Sequence, residues 1–298
     1  MGFPVRKCAL IGRFVDPRVA ESVSALLQHL KSCGVQVLIS ETADIPDDLN
    51  GVTRMPEDEL AEAADLLIAI GGDGTLLYGA RLVARHNVPL LGINRGRLGF
   101  LTDVMPQDML PSVDAALEGK LASEERTLLR ARLHRGDGSV TESLALNDVV
   151  LQKAATGRML DFETRVNGKF VNTHSGDGIV IATATGSTAY ALSCGGPIVE
   201  PDLDVLVLAP ICAHTMSDRP IVVSARSSID VKLIERYDTA AQVACDGVML
   251  GSMEPDVDRL EIQAAKERIT LLHPPDHDYY RLLRSKLHWG RGGLDPSR

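Results

Sequence analysis

The sequence predicts a two-domain α/β protein: a Rossmann-like parallel α/β domain over residues 1–125, an all-β sandwich domain over residues 126–275 and a helical tail at 276–298. Three observations carry this reading. Up to about residue 117, short apolar runs alternate with helical stretches, which is the pattern of a parallel sheet. From Thr127 onward, alternation at period two takes over and hairpin dipeptides recur. In the tail, Tyr280, Leu283 and Leu287 stand at helical spacing, so a last helix is expected to return to the first domain.

Taken in order, residues 7–11 read as a strand. The helix after it starts with Asp16 as N-cap and Pro17 at the first helical position, and Val19, Val23, Leu26, Leu27 and Leu30 form one apolar face that ends at Gly34. Residues 35–39 are a second strand. An acidic, alanine-rich helix at 56–64 leads to a third strand at 66–70, then to the turn Gly71-Gly72-Asp73-Gly74-Thr75 and a helix over 76–86. A fourth strand at 88–93 runs into a second glycine loop, Asn94-Arg95-Gly96-Arg97-Leu98-Gly99-Phe100-Leu101, and a helix at 108–117 follows. The domain boundary is expected at 123–126.

In the second domain, Asp137-Gly138 joins strands at 128–134 and 143–151, and Asn167-Gly168 joins strands at 162–166 and 169–173. Further strands are expected at 179–182, 205–209, 221–224, 229–234, 242–244, 260–263 and 269–272, with Asp246-Gly247 as another hairpin turn. No internal repeat or polar linker interrupts them.

Composition narrows the function. Forty acidic residues against thirty-one basic ones give a net charge of −9, which disfavours a broad footprint for nucleic acid or an anionic membrane but permits a local basic pocket for phosphates. At 4% aromatic residues there are few stacking platforms for single strands. No stretch has the form of a signal peptide or the length of a membrane span, and Met1-Gly2-Phe3-Pro4-Val5-Arg6 lacks the Ser/Thr of a myristoylation signal. Cys8, Cys33, Cys194, Cys212 and Cys245 are odd in number and form no CxxC pair, so reduced, mostly buried thiols and a cytoplasmic location are expected.

The turn at 71–75 is the first candidate site. Glycines between a strand and a helix let backbone N–H groups approach an anion, aided by the helix dipole. A carboxylate there raises the cost of holding an anion, so Asp73 needs a chemical reason. There is no GxxxxGK[ST] loop, no GxGxxG after a strand and no HExxH or paired CxxC to offer a metal cage, so if phosphates bind at residues 71–75 the machinery is not that of a P-loop NTPase. The second candidate follows Asp177-Gly178: the run Thr183-Ala184-Thr185-Gly186-Ser187-Thr188-Ala189-Tyr190-Ala191-Leu192-Ser193 is either an ordinary capped turn or a set of hydroxyls for a polar ligand. Asn147-Asp148 is a polar pair inside an apolar strand and either makes a structural hydrogen bond or holds a ligand. The histidines, His174 and His214 among them, form no motif.

Together, GGDGT, NRGRLGFL, Asn147-Asp148 and Asp177-Gly178 followed by Thr185-Gly186-Ser187-Thr188-Ala189-Tyr190 resemble the NAD kinase family, in order and across most of the chain. The resemblance implies ATP-dependent phosphorylation of the 2′-hydroxyl of the adenosine ribose of NAD to give NADP, with a divalent cation, most simply Mg²⁺. It implies Asp73 as the base, and Gly72, Gly74 and Thr75 at the donor phosphates. It puts Asp73, Gly74, Asn147, Asp148, Arg158, Ser175, Asp177, Thr188, Ala189, Tyr190, Ala191, Leu192 and Ser193 around NAD. A homodimer or homotetramer that completes the pocket across its interface is implied as well. No residue is assigned to the metal. The chain departs from the family pattern at Asp148 (usually Glu), Ala184 (usually Pro), Ser175 (often Arg) and Val248 (commonly Gln), and the loss of a fixed charge at Ser175 leaves the preference for NAD over NADH open. GGDGT alone is also similar to a turn of sugar-phosphate and lipid kinases. A kinase of that kind and a non-catalytic dinucleotide-binding regulator are the alternatives, and inorganic polyphosphate is an alternative donor.

Overall fold

The computed structural model describes residues 5–14, 17–44, 51–96, 99–154, 158–234 and 240–289. Asp16, Arg97, Leu98, the side chain of Val19 and residues 290–298 of the tail lie outside the described residues. The chain divides into two compact units, one of residues 1–79, 88–124 and 271–298, the other of 80–87 and 125–270.

In the first unit, β1 (Lys7–Gly12), α1 (Pro17–Ser32), β2 (Gln36–Ser40), β3 (Val52–Met55), α2 (Glu57–Ala63), β4 (Leu66–Ile70), the start of α3 (Asp73–Val83) and β5 (Leu90–Ile93) alternate as expected. The strands lie parallel in the order β3-β2-β1-β4-β5. All five residues of β4 are buried, as for a strand covered on both faces. Val23, Leu26 and Leu30 of α1, with Met109, Val113 and Ala116 of α4 (Met109–Leu117), pack with Leu10, Val37, Ile68 and Ile93 of the sheet.

Two details differ from the sequence reading. Strand β3 was not expected, because Thr53 and Arg54 at its centre are exposed and mask its pattern. Helix α3 starts at Asp73, not at residue 76, because the Gly72 carbonyl accepts from the N–H groups of Thr75 (2.9 Å) and Leu76 (3.2 Å) and closes the first turn earlier.

The second unit contains most of β6 (Ala122–His134), then β7 (Val140–Ala145), β8 (Asp148–Lys153), β9 (Leu160–Val166), β10 (Lys169–Gly176), β11 (Gly178–Thr183), the short α5 (Tyr190–Ser193), β12 (Val205–Ile211), β13 (Ile221–Ser224), β14 (Ile229–Ile234), β15 (Ala241–Cys245), β16 (Val248–Met253) and most of β17 (Arg259–His273). One sheet has the order β13-β12-β11-β8-β15-β16. Its inner face (Val149, Leu151, Ile179, Ile181, Leu208, Val243) shares a core with Leu129, Phe162, Ile229, Val231, Leu260 and Ile262, which makes a sandwich. Ala184, Ala191 and Val199 cover its other face against Val180, Val207 and Ala209, so every residue of β11 is buried. At the β9–β10 hairpin, Asn167 (φ 52°) and Gly168 (φ 75°) both take positive φ, as the Asn-Gly dipeptide requires.

Several expectations in this unit need correction. The strand expected at 143–151 is two strands: β7 pairs with β6, whereas β8 pairs with β11 and β15, so the chain changes sheets at Leu146-Asn147. The strands expected at 260–263 and 269–272 are one strand, β17; the polar Lys266, Glu267 and Arg268 interrupt its pattern, and Glu267 accepts from Arg130 on β6 at 2.6 Å. The last residues of β17, Leu271 and Leu272, pair in parallel with β5 in the first unit. Strand β16, which was not foreseen, pairs with β15 across the Asp246-Gly247 turn. All five thiols are free, but only Cys8 and Cys245 are buried. Cys33 and Cys212 are exposed where α1 and β12 have ended, and Cys194 is half-buried.

After β17 the chain forms α6 (Tyr279–Leu287), which belongs to the first unit, as expected of a returning helix. Among the described residues, no helix is long and apolar enough to cross a membrane.

Candidate active site

The GGDGT turn follows β4, which has β1 on one side and β5 on the other. Chain direction away from β1 reverses here, since β2 lies on its far side, and such switch points open a crevice at the carboxyl ends of the strands. A cavity of about 570 Å³ occupies this place, lined by Gly12 at the end of β1 and Arg13 after it, Gly71, Gly72, Gly74, Thr75 and Tyr78 at the turn and α3, and Arg95 after β5. The first N–H groups of a helix have no intrahelical acceptor, so the start of α3, with two guanidinium groups beside it, suits a phosphate chain. Arg13 and Arg95 were not singled out from the sequence. Their signal is topological: each follows the end of a strand that neighbours β4.

Asp73 stands in the first turn of α3, and the second glycine loop holds its carboxylate. Oδ2 accepts from the Phe100 N–H at 2.9 Å, while Oδ1 accepts from the N–H groups of Leu101 (3.1 Å) and Thr102 (3.2 Å) and from Thr102 Oγ1 (3.1 Å). Gly99 is part of this fit, because a Cβ there would overlap Asp73 Oδ1 and Thr102 Oγ1. The two glycine loops therefore meet, and the contact is a carboxylate cradled by backbone N–H groups.

The second unit gathers another cluster. Asn147 sits at the sheet change and Asp148 is buried at the start of β8. Here the Asp246 carboxylate accepts three backbone N–H groups, from Leu146 (2.7 Å), Asn147 (2.8 Å) and Asp148 (3.1 Å). Asp246-Gly247 is thus a hairpin turn, as expected, and also an anchor, which the dipeptide alone could not reveal. Burial pushes the Asp148 carboxyl up to about 7, and the charge of Asp246 adds to the shift. Burial also raises Asp246, and its three N–H partners and Arg81 oppose part of this, so both carboxyls lie above their ordinary value.

The hydroxyl-rich segment is tied to the same place. Thr183 Oγ1 donates to the Leu146 carbonyl at 2.6 Å, the Gly186 N–H donates to Thr183 Oγ1 at 3.0 Å, and a Cβ on Gly186 would overlap the Asn147 backbone. Ser187 Oγ accepts from the Val199 N–H at 3.0 Å and is fully buried. Thr188 and Ala189 are partly exposed and Tyr190 and Ser193 more so, while the Ala191 side chain turns into the core. Burial raises the Tyr190 hydroxyl, with smaller contributions from Cys194, Cys212, Asp177 and Asp148. Asp177 pairs with Lys153 at 2.6 Å, Ser175 donates to Asp161, and Arg158 is exposed. His174 is a satisfied buried histidine, 2.8 Å from Thr164 and 2.6 Å from Asp218.

Among the described residues, two groups bring three metal-type ligand atoms within 4.8 Å of one another: His29 with Cys33 and Asp114, and Asp103 with His273 and His277. Neither includes a residue that lines the glycine cavity.

Comparison with known proteins follows the same division. The family model for the ATP-NAD kinase N-terminal domain matches residues 10–121, and that for the ATP-NAD kinase C-terminal domain matches residues 146–273. The NAD kinase of Chromobacterium violaceum is 42% identical over 94% of this chain and 96% of its own length, and that of Thiobacillus denitrificans is 43% identical over 98% and 99%. This chain belongs to the NAD kinase family. Its fold is similar to yeast NADH kinase, solved as a complex with NADH (TM-score 0.88, 24% identity, 98% of this chain and 90% of that chain). It is also similar to the Archaeoglobus fulgidus NAD kinase in complex with ATP (TM-score 0.73, 29% identity, 95% and 98%). The two NAD kinase domains correspond to the two units: one carries the glycine cavity, the other Asn147-Asp148 and the hydroxyl-rich segment.

Proposed function

We propose that this protein transfers the γ-phosphoryl group of ATP to the 2′-hydroxyl of the adenosine ribose of NAD, giving NADP and ADP. The observation that carries the reading is the Asp73 carboxylate, fixed by loop N–H groups and flanked in the chain by two glycines of an arginine-bearing cavity. Oδ2 accepts only the Phe100 N–H among the described residues and keeps a lone pair for the ribose proton. As that proton passes to Asp73, O2′ forms a bond to the γ-phosphorus, the bond to the β,γ-bridging oxygen breaks, and ADP leaves. The N–H groups of Gly72 and Gly74, the Thr75 hydroxyl and the guanidinium groups of Arg13 and Arg95 stabilise the charge on the phosphates.

The cavity offers backbone N–H groups, hydroxyls and arginines to a phosphate chain, and a divalent cation such as Mg²⁺, arriving with ATP, would help to neutralise the charge on its phosphates. On the acceptor side, Asn147, Asp148, Arg158, Ser175, Asp177, Thr188, Ala189, Tyr190, Leu192 and Ser193 recognise the dinucleotide, with any contact from Ala191 made by its backbone. A protonated Asp148 offers a hydrogen-bond donor as well as an acceptor. With Ser175 neutral, NADH is a substrate to test beside NAD. The pocket is completed by a second subunit of a homodimer or homotetramer, which light scattering of the purified protein checks. Five free thiols accord with a reducing cytoplasm.

The test is an activity matrix in which ATP and polyphosphate are crossed with NAD, NADH, a sugar phosphate and a diacylglycerol. NADP from ATP and NAD supports the reading, and folded protein without NADP overturns it. No observation favours the lipid or sugar kinase or the regulator.

A further inference from the structure

We propose that Asp103, His273 and His277 form a clasp that positions Asp73, acting through the loop at residues 99–103. This rests on Asp73 being the base. Three consecutive N–H groups, those of Phe100, Leu101 and Thr102, point at one carboxylate, so the backbone between them has to be held from outside. On one side Asn94 does this: its Nδ2 donates to Thr102 Oγ1 at 3.0 Å and its backbone N–H to the Val104 carbonyl at 2.8 Å.

On the other side Asp103, the next residue in the chain, is held by the C-terminal segment. Its Oδ2 accepts from Nδ1 of His273 at 2.9 Å and from Nδ1 of His277 at 2.7 Å. The side chains of Asp103 and His273 are 9% and 3% exposed, so water does little to weaken these bonds. Burial alone would raise the Asp103 carboxyl, but the two histidine hydrogen bonds and their charge outweigh it and hold it down at about 2. The partner therefore stays an anion throughout the working pH range, and the bonds are charge-assisted.

The sequence prepares this arrangement. His273 ends β17, Pro274 and Pro275 restrict the following backbone, and the His277 N–H donates to the Pro274 carbonyl at 3.0 Å, which folds His277 back over His273. The two rings stack with centroids 4.2 Å apart and planes at 24°. Helix α6 adds a second hold, with Lys286 Nζ 5.9 Å from the centroid of the Phe100 ring.

Two readouts test the clasp, one of them independent of turnover. In Asp103→Ala and in the double variant His273→Ala/His277→Ala, kcat for NADP formation is expected to fall about 10²-fold, the cost of a misplaced catalytic group, with KM for NAD and ATP nearly unchanged. His273→Asn and His277→Asn, whose amide N–H stands in for Nδ1–H, should recover most of kcat. In an Asp73→Asn background, Asp103→Ala should cost nothing further. By amide hydrogen exchange, Phe100, Leu101 and Thr102 should lose protection in Asp103→Ala while β4 keeps it. Wild-type kcat in a folded Asp103→Ala protein, full additivity with Asp73→Asn, or unchanged exchange at residues 100–102 would each overturn the proposal. If Asp103→Ala does not fold, His277→Ala takes its place. If the wild type makes no NADP, the proposed reaction fails, and the exchange result alone decides the clasp.

Discussion

Asp73 and Asp246 use one kind of side chain for two purposes. Asp246 accepts one N–H on Oδ2 and two on Oδ1, all from residues 146–148 where the chain changes sheets, whereas Asp73 accepts one N–H on Oδ2 and three donors on Oδ1 in the first turn of a helix beside the glycine cavity. Replacing Asp73 by Asn keeps the shape and removes the proton acceptor. Steady-state kinetics should show kcat reduced about 10²–10⁴-fold with KM for NAD little changed. Asp148 makes a prediction in pH. Its folded value of about 7 lies above the ordinary carboxyl range, so between about pH 4 and pH 7 the folded state holds a proton that the unfolded chain has released. Stability is therefore greatest below pH 4 as far as this group is concerned, falls as pH rises to 7, and is level above; Asp246 shifts in the same direction. Thermal melts should show Asp148→Asn more stable than wild type at pH 8, with the gap closing at pH 4; a gap independent of pH would contradict this. Asp73 and Asp148 were legible in the sequence because a carboxylate is out of place in a phosphate-type turn and in an apolar strand. Asp246 was not, because Asp-Gly spells a hairpin whether or not the carboxylate reaches across to another strand.

At the scale of elements, the candidate site depends on where segments start and stop. The early start of α3 puts Asp73 in its first turn, and the break between β7 and β8 leaves three N–H groups for Asp246 to satisfy. Asp246→Ala strips these groups of their acceptor at a cost of about 1–3 kcal/mol for each that stays buried and unpaired, so urea unfolding should show a loss of about 3 kcal/mol or more. Asp246→Asn, which retains a carbonyl acceptor, should lose less; equal losses would mean that the three hydrogen bonds contribute little. The break was not read from the sequence, because the apolar residues on either side of Asn147-Asp148 make 143–151 look like one strand, although that polar pair stands where the chain passes from one sheet to the other. Hairpins were legible where both turn residues take positive φ, as at Asn167-Gly168, since few residues other than Asn and Gly tolerate that pair of conformations. The reverse error occurred in β17, whose polar middle looks like a loop but pairs through its Glu267 with Arg130.

For the whole molecule, the two units correspond to the two domains of the NAD kinase family, and each carries a different half of the proposed reaction. The alternation of strand and helix made the parallel sheet readable, and with it the place of the GGDGT turn at the carboxyl end of β4, where the structure has the glycine cavity. The pairing of Leu271 and Leu272 with β5, and the histidine clasp that follows them, left no trace in local pattern because their partners lie far away in the chain. The most direct test of the account is the product made by purified protein from MgATP and NAD, identified by ³¹P NMR and mass spectrometry. The account predicts NADP phosphorylated at the 2′ position, formed one for one with ADP and nearly abolished by Asp73→Asn. ADP released without NADP, a phosphate at another position, or undiminished NADP from Asp73→Asn would contradict it.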